Sequence, residues 1–153
     1  MPRKVVIDTN LALLFAVGLT NRKYIEKHKR LATFDEKDFE VILELIDASA
    51  GLLLCPNVLS ETSNLIRYIA DPIRSEITTM FSRIIASSEE TYIASHSVAS
   101  GWDFARLGLT DMVLVALADG ATLLTDDLDL YLAASSAGFE AINYSHIREA
   151  RFG

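Results

Sequence analysis

The chain has 153 residues, half of them apolar, 8% aromatic and 23% charged, a length that builds one domain with its own hydrophobic core. One cysteine, Cys55, excludes an internal disulfide framework, and seven Gly with three Pro exclude a long disordered linker. Fourteen Lys and Arg against twenty-one Asp and Glu leave a net charge of −7, which excludes broad, field-driven attraction to nucleic acid and requires any such contact to be local.

The composition predicts one compact, cytoplasmic domain spanning residues 1–153. The apolar N-terminal stretch resembles a signal peptide only superficially. Asp8 and Asn10 interrupt it, at a cost of several kcal/mol for a membrane-inserted carboxylate, and the run from Leu11 to Val17 is too short to span a bilayer. No membrane association is expected.

Lys4 to Ile7 reads as a short, β-branched buried strand stopped by the polar turn Asp8-Thr9-Asn10. A helical pattern begins near Asn10. Residues 21–30 are highly charged and read as a short surface helix. Asp35 reads as an N-cap with Asp38 three residues on, ahead of Phe39, Ile42, Leu43 and Ile46 at helical spacing. Gly51 ends that helix, and Leu52 to Cys55 forms a second buried strand. Pro56-Asn57 opens a helix with the apolar stripe Val58, Leu65, Ile66 and Ile69. Asp71 caps the next helix, with Pro72 at its first position and Ile73, Ile77, Phe81, Ile84 and Ile85 along it.

Thr91 to Ile93 is a weak third strand, followed by a helix carrying Val98, Trp102, Ala105 and Arg106 that ends near Gly108. Thr110 caps a helix from Asp111 to Ala118, and Gly120 stops it. Ala121 to Leu124 is a fourth strand, Leu128 to Ala137 a helix, and Phe139 to Ile142 the last strand. Strands alternating with helices, several of them wholly apolar, predict an α/β fold: a five-stranded, mostly parallel sheet with helices on both faces.

In such sheets ligands bind outside the carboxyl ends of the strands, where strand order reverses. Asp8 directly follows the first strand, and Asp126 and Asp127 follow the fourth. Asp111 and Glu61 lie early in helices, where a carboxylate also favours the positive end of the helix dipole. Nothing about a strand–helix junction needs an Asp at position 8, and capping of the Asn10 helix is the lesser reading there. Acids gathered at one sheet edge repel each other, and a divalent cation offsets that cost. Hard carboxylate oxygens without a thiolate cluster or paired His suit Mg²⁺ or Mn²⁺ rather than Zn²⁺. The three His are far apart, Ser95-His96-Ser97 lacks a nucleophile elbow, and the glycines form no phosphate-cradling pattern.

Four segments carry a family resemblance: Val5-Val6-Ile7-Asp8-Thr9-Asn10, Val58-Leu59-Ser60-Glu61-Thr62, Leu107-Gly108-Leu109-Thr110-Asp111-Met112 and Leu123-Leu124-Thr125-Asp126-Asp127-Leu128. In order and setting they resemble the acidic motifs of the PIN-domain ribonucleases, which include the VapC-type toxins of toxin–antitoxin pairs. The resemblance spans residues 4 to about 143, although the stretch from Asn10 to Glu61 is longer than in the compact toxins. It implies a PIN-like fold and a metal-dependent endoribonuclease hydrolysing single-stranded RNA.

By the same resemblance, Asp8, Glu61, Asp111 and Asp127 are the catalytic acids and the ligands of Mg²⁺ or Mn²⁺. Asn10 and Thr125 support them through hydrogen bonds, Asp126 falls on a variable position beside them, and Asp129 is a weaker candidate further round the helix. An antitoxin protein and a homodimer are implied partners, with the apolar residues of the helix from Asp71 to Ser87 offering a dimer contact.

The basic concentration at Arg22, Lys23, Lys27, Lys29 and Arg30, with His28 among them, reads either as a clamp for the RNA backbone or as a solvated helix face. If helical, Lys23, Lys27 and Arg30 share one side. Two alternatives stand beside the nuclease. One is a catalytically idle PIN-like module that binds RNA or protein. The other is a haloacid-dehalogenase-like phosphatase, which wants an Asp where Asn10 stands and a later Lys that the chain lacks after Lys37.

Overall fold

A computed structural model describes residues 2–153. The β-branched run forms β1 (Val5–Ile7), buried along its whole length. Successive strand residues point to opposite faces, so both faces of β1 are covered. The chain continues through α1 (Thr9–Thr20), α2 (Glu36–Asp47), β2 (Leu53–Leu54), α3 (Pro56–Ile66), α4 (Ile73–Ser87), β3 (Glu89–Glu90), α5 (Phe104–Leu107), α6 (Leu109–Leu117), β4 (Thr122–Thr125), α7 (Leu128–Ser136), β5 (Ala141–Asn143) and α8 (Tyr144–Phe152).

The α/β class and the parallel pairing stand; a single five-stranded sheet does not. β1, β4 and β5 form a three-stranded parallel sheet in the order β1-β4-β5, while β2 and β3 form a separate parallel pair. One parallel bridge, Val5 with Leu52, sets the pair beside β1. The ladder stops there because β2 and β3 are two residues long and β3 is an exposed Glu-Glu edge with nothing to bury. The third strand was expected at Thr91 to Ile93; it lies at Glu89–Glu90, and Tyr92 is 74% exposed.

Other local expectations shift for equally physical reasons. The helix expected through Val98 to Arg106 shrinks to α5, because its would-be apolar face carries Trp102 in solvent. Residues 22–30 form two short 3₁₀ segments rather than one helix, with Ile25, His28 and Leu31 buried beneath them. At 3.0 residues per turn, and with a break at His28, Lys23, Lys27 and Arg30 no longer share a face. α4 begins at Ile73 behind a cis Asp71-Pro72 bond, and Asp71 accepts from the Ser75 backbone N–H and hydroxyl instead of capping Pro72 at the first position. The stripe of α4 expected to serve a dimer packs inside, with Ile77, Phe81 and Ile84 buried.

α2 carries the expected capping box, Asp35 N–H to Asp38 Oδ2 at 2.9 Å and Asp38 N–H to Asp35 Oδ1 at 3.1 Å. α8, which the pattern left unassigned, is tied back to α2: the buried Asp38 accepts from the Tyr144 hydroxyl at 2.5 Å and pairs with Arg148 at 3.2 Å. Among the described residues no helix is long and apolar enough to cross a membrane.

α1 is packed so closely on α2 that Gly18 has no room for a side chain: a Cβ there would overlap the ring of Phe39, itself buried against Phe15. Gly18→Ala gains about 1 kcal/mol of helix propensity but meets an overpacking cost of about 1–3 kcal/mol. The expected result is a lower melting temperature. A thermal scan showing an increase would mean that α1 and α2 pack less tightly than described.

Candidate active site

The path from β1 out to β2 and β3, then back to β4 on the other side of β1, makes the β1–β4 boundary the point where strand order reverses. Residues leaving the carboxyl ends of these two strands face one crevice there. Asp8 follows β1 and caps α1, accepting from Leu11 N–H at 3.0 Å through Oδ1. Thr125, the last residue of β4, donates its hydroxyl to Asp8 Oδ2 and accepts from Asp127 N–H at 3.0 Å. Asp8 Oδ2 also accepts from Asp126 N–H at 3.2 Å. Asp127 caps α7 through Leu130 N–H at 3.1 Å.

α6 starts two residues earlier than the sequence pattern indicates. Its N-cap is Gly108, at φ +85, a left-handed conformation that favours glycine. Thr110, expected to be the cap, instead donates its hydroxyl to Glu61 Oε2, and Thr9 donates to Glu61 Oε1 at 3.0 Å. These two threonines hold the α3 acid in place. Neither was singled out as a supporting group, although both stand beside an acid in its motif. Asn10, expected to support the carboxylates, is exposed and makes no hydrogen bond to them among the described residues.

Asp8, Glu61, Asp111, Asp126 and Asp127 line one pocket of about 420 Å³, together with Asn10 and Arg30. Thr125 lies buried behind it. Asp129 is outside, turned toward Arg106 at 3.7 Å. Among the described basic residues, only Arg30 lines the pocket. Arg22 pairs with Glu40 and lies over Phe39. Lys27 sits 5.8 Å from the Tyr24 ring centroid, and the Lys23 side chain has no partner in the pocket.

The carboxylates crowd one another. Burial, then the charge of Asp126, pushes Asp8 up to about 7 against the pull of its Thr125 and Leu11 hydrogen bonds. Burial, with Asp127 and Glu61 nearby, pushes Asp111 up to about 6. Asp126 is also raised, mainly by burial, while its hydrogen bond with Asp8 pulls the other way. Capping explains a carboxylate at Asp8 and Asp127, but Asn would cap equally well. Capping does not explain why acids from separate segments share a half-dry pocket in which they disfavour each other's charge.

Among the described residues, no three carboxylate, imidazole or thiolate groups form a cluster that could enclose a metal ion. The donor chemistry nonetheless fits Mg²⁺ or Mn²⁺. Mg²⁺ is held through one or two carboxylates with several waters retained, rather than by an all-protein cage, and surplus negative charge in the pocket is what such an ion relieves. The chain was compared with family models, curated proteins and solved structures, and it matches none of them.

Proposed function

We propose that the protein is a Mg²⁺- or Mn²⁺-dependent phosphodiester hydrolase acting on single-stranded RNA. The observation that carries this reading is the shared pocket: Asp8, Glu61, Asp111, Asp126 and Asp127 meet there, and burial with the neighbouring carboxylates raises the proton affinities of Asp8, Asp111 and Asp126. Strongly perturbed acids in a cleft mark functional sites more often than structural ones. RNA as the substrate, and a cytoplasmic role as a toxin answered by an antitoxin protein, are supported by the resemblance of the four acidic motifs.

In this reading Asp8 and Asp111 would hold the cation, and Glu61, Asp126 and Asp127 would meet it through retained waters. A bound Mg²⁺ or Mn²⁺ lowers the pKa of water and stabilises charge on the phosphoryl oxygens. Thr125 fixes the orientation of Asp8, and Thr9 and Thr110 fix that of Glu61, the hydrogen-bonded support that ligating carboxylates need. Arg30 brings positive charge to the lining of the pocket.

Mixed single-stranded RNA incubated with Mn²⁺, with chelator, and with chelator followed by excess Mn²⁺ tests the proposal. Cleavage should appear, vanish and return in that order. Cleavage that persists in chelator, or none with either metal, would overturn it.

A further inference from the structure

The carboxylate pocket is the middle of three adjoining cavities. On one side it shares Glu61 and Asp111 with a cavity of about 660 Å³ that Tyr92 lines. On the other it shares Asn64 with a cavity of about 400 Å³ lined by Arg67 and Tyr68. Along this series the lining runs over α3 and just beyond its end, through Asn57, Ser60, Glu61, Asn64, Arg67 and Tyr68. That three-and-four spacing places them on one side of a helix, opposite the buried Val58, Thr62 and Ile66. The polar stripe extends on the order of 15 Å at 1.5 Å per residue.

An aromatic ring stands at each end. Tyr92 is 74% exposed and Tyr68 46% exposed. Both are large rings left in solvent at the rims of the two outer cavities, where burial in the core does not account for them. The Arg30 guanidinium lies 5.1 Å, and the Lys29 ammonium 5.8 Å, from the Tyr68 ring centroid, making a platform that is aromatic and cationic together. Aromatic rings and arginine planes that accept stacked bases, set beside positive charge for the backbone, form the recognition chemistry of single strands. A duplex hides its base faces and cannot use such a platform.

We propose that the polar side of α3 is the floor of a groove for single-stranded nucleic acid, in which bases stack on Tyr92 and on the Arg30–Tyr68 platform and Arg67 meets a phosphate. The hydrolase reading supplies only the choice of nucleic acid as occupant, and the groove can be tested without turnover. A short fluorescein-labelled RNA of mixed sequence is titrated with the full chain in Ca²⁺ at low salt, and its intactness is checked afterwards. A DNA strand of the same sequence and a strand with the same backbone but abasic linkers run in parallel.

Tyr92→Ala and Tyr68→Ala should each weaken binding of the based strands by about tenfold. Tyr92→Phe and Tyr68→Phe should stay within about twofold of wild type, and the abasic strand should bind weakly with no dependence on either tyrosine. Arg67→Gln should lower the slope of log affinity against log salt by about 0.7, a change the tyrosine variants should not make. Both tyrosines are exposed, so circular dichroism should show every variant folded.

Wild-type binding by both alanine variants, or equal binding of based and abasic strands, would overturn the groove. If that result came with Mn²⁺-dependent cleavage intact, the hydrolase reading would stand alone. Tyrosine-dependent binding without any cleavage would support the groove and remove the hydrolase.

Discussion

Asp111→Asn is expected to cut hydrolysis of single-stranded RNA by at least about a hundredfold, close to 3 kcal/mol of transition-state stabilisation, in a protein that remains folded. Asp111 lies half-buried in the first turn of α6 and lines the pocket. Asp8 has three hydrogen bonds on its carboxylate, and Glu61 two. Among the described residues no donor holds the Asp111 carboxylate, so its oxygens remain free to bind a cation. Losing a first-turn acid costs α6 about 0.3–1 kcal/mol of dipole interaction, and relief of repulsion from Asp127 and Glu61 offsets part of that.

Asp127→Asn should show the same loss more cleanly, because Asn caps a helix as well as Asp does and the N-cap of α7 is preserved. Asp129→Asn, outside the pocket beside Arg106, serves as the control and should stay within about twofold of wild type. Initial rates under saturating Mn²⁺, with circular dichroism of each variant, make the measurement. Activity of Asp111→Asn within tenfold of wild type would remove this acid from the chemistry.

The second large effect is on stability, and its sign runs opposite to that of an ordinary surface carboxylate. Asp8 is pushed up to about 7 from an unfolded value of 3.8. The folded protein therefore holds a proton that the unfolded chain has already released, and stability falls as pH rises from about 4 through about 7. In chelator, wild type and Asp8→Asn should differ least near pH 4, at the unfolded value, where Asp8 is neutral in the folded protein and Asn is its isostere. By pH 8 the Asn variant should have gained at least about 2 kcal/mol relative to wild type, since each tenfold change in proton affinity is worth about 1.4 kcal/mol. For a chain of this length that is about 4–8 °C in melting temperature.

Taking the difference between the two proteins cancels the buried His28. Its proton affinity is lowered by burial, so it costs stability as pH falls through its ordinary range near 6.5. Millimolar Mg²⁺ should close the gap at pH 8 by stabilising only the wild type, by about 2.7 kcal/mol at a hundred times its dissociation constant. A gap that does not change with pH would mean that Asp8 is ionised throughout.

Several elements were legible because their signals are local. The β-branched run of β1 ends at Asp8, Asp35 and Asp38 form a capping box within one turn, and the apolar run at the end of α6 and through β4 is punctuated by Gly120. The order of the acids along the chain was equally readable. Elements whose reason for forming lies elsewhere in the chain were not. α8 is fastened by Asp38, 106 residues from Tyr144, and its charged sequence carries no apolar period to announce it. β3 is two exposed glutamates that become a strand only because the backbone of β2 lies alongside.

The apolar side of α3 could be read from Val58, Leu65 and Ile66; what its polar side faces could not. The α/β class and the acids at the ends of β1 and β4 follow from residues that are neighbours along the chain. That Asp8 meets Asp126, that Glu61 is held by Thr9 and Thr110, and that Arg30 alone of the basic cluster reaches the pocket depends on how distant segments pack. Parallel pairing of β1 with β4 makes neighbours of residues 117 positions apart, so side chains with no local relation share one crevice.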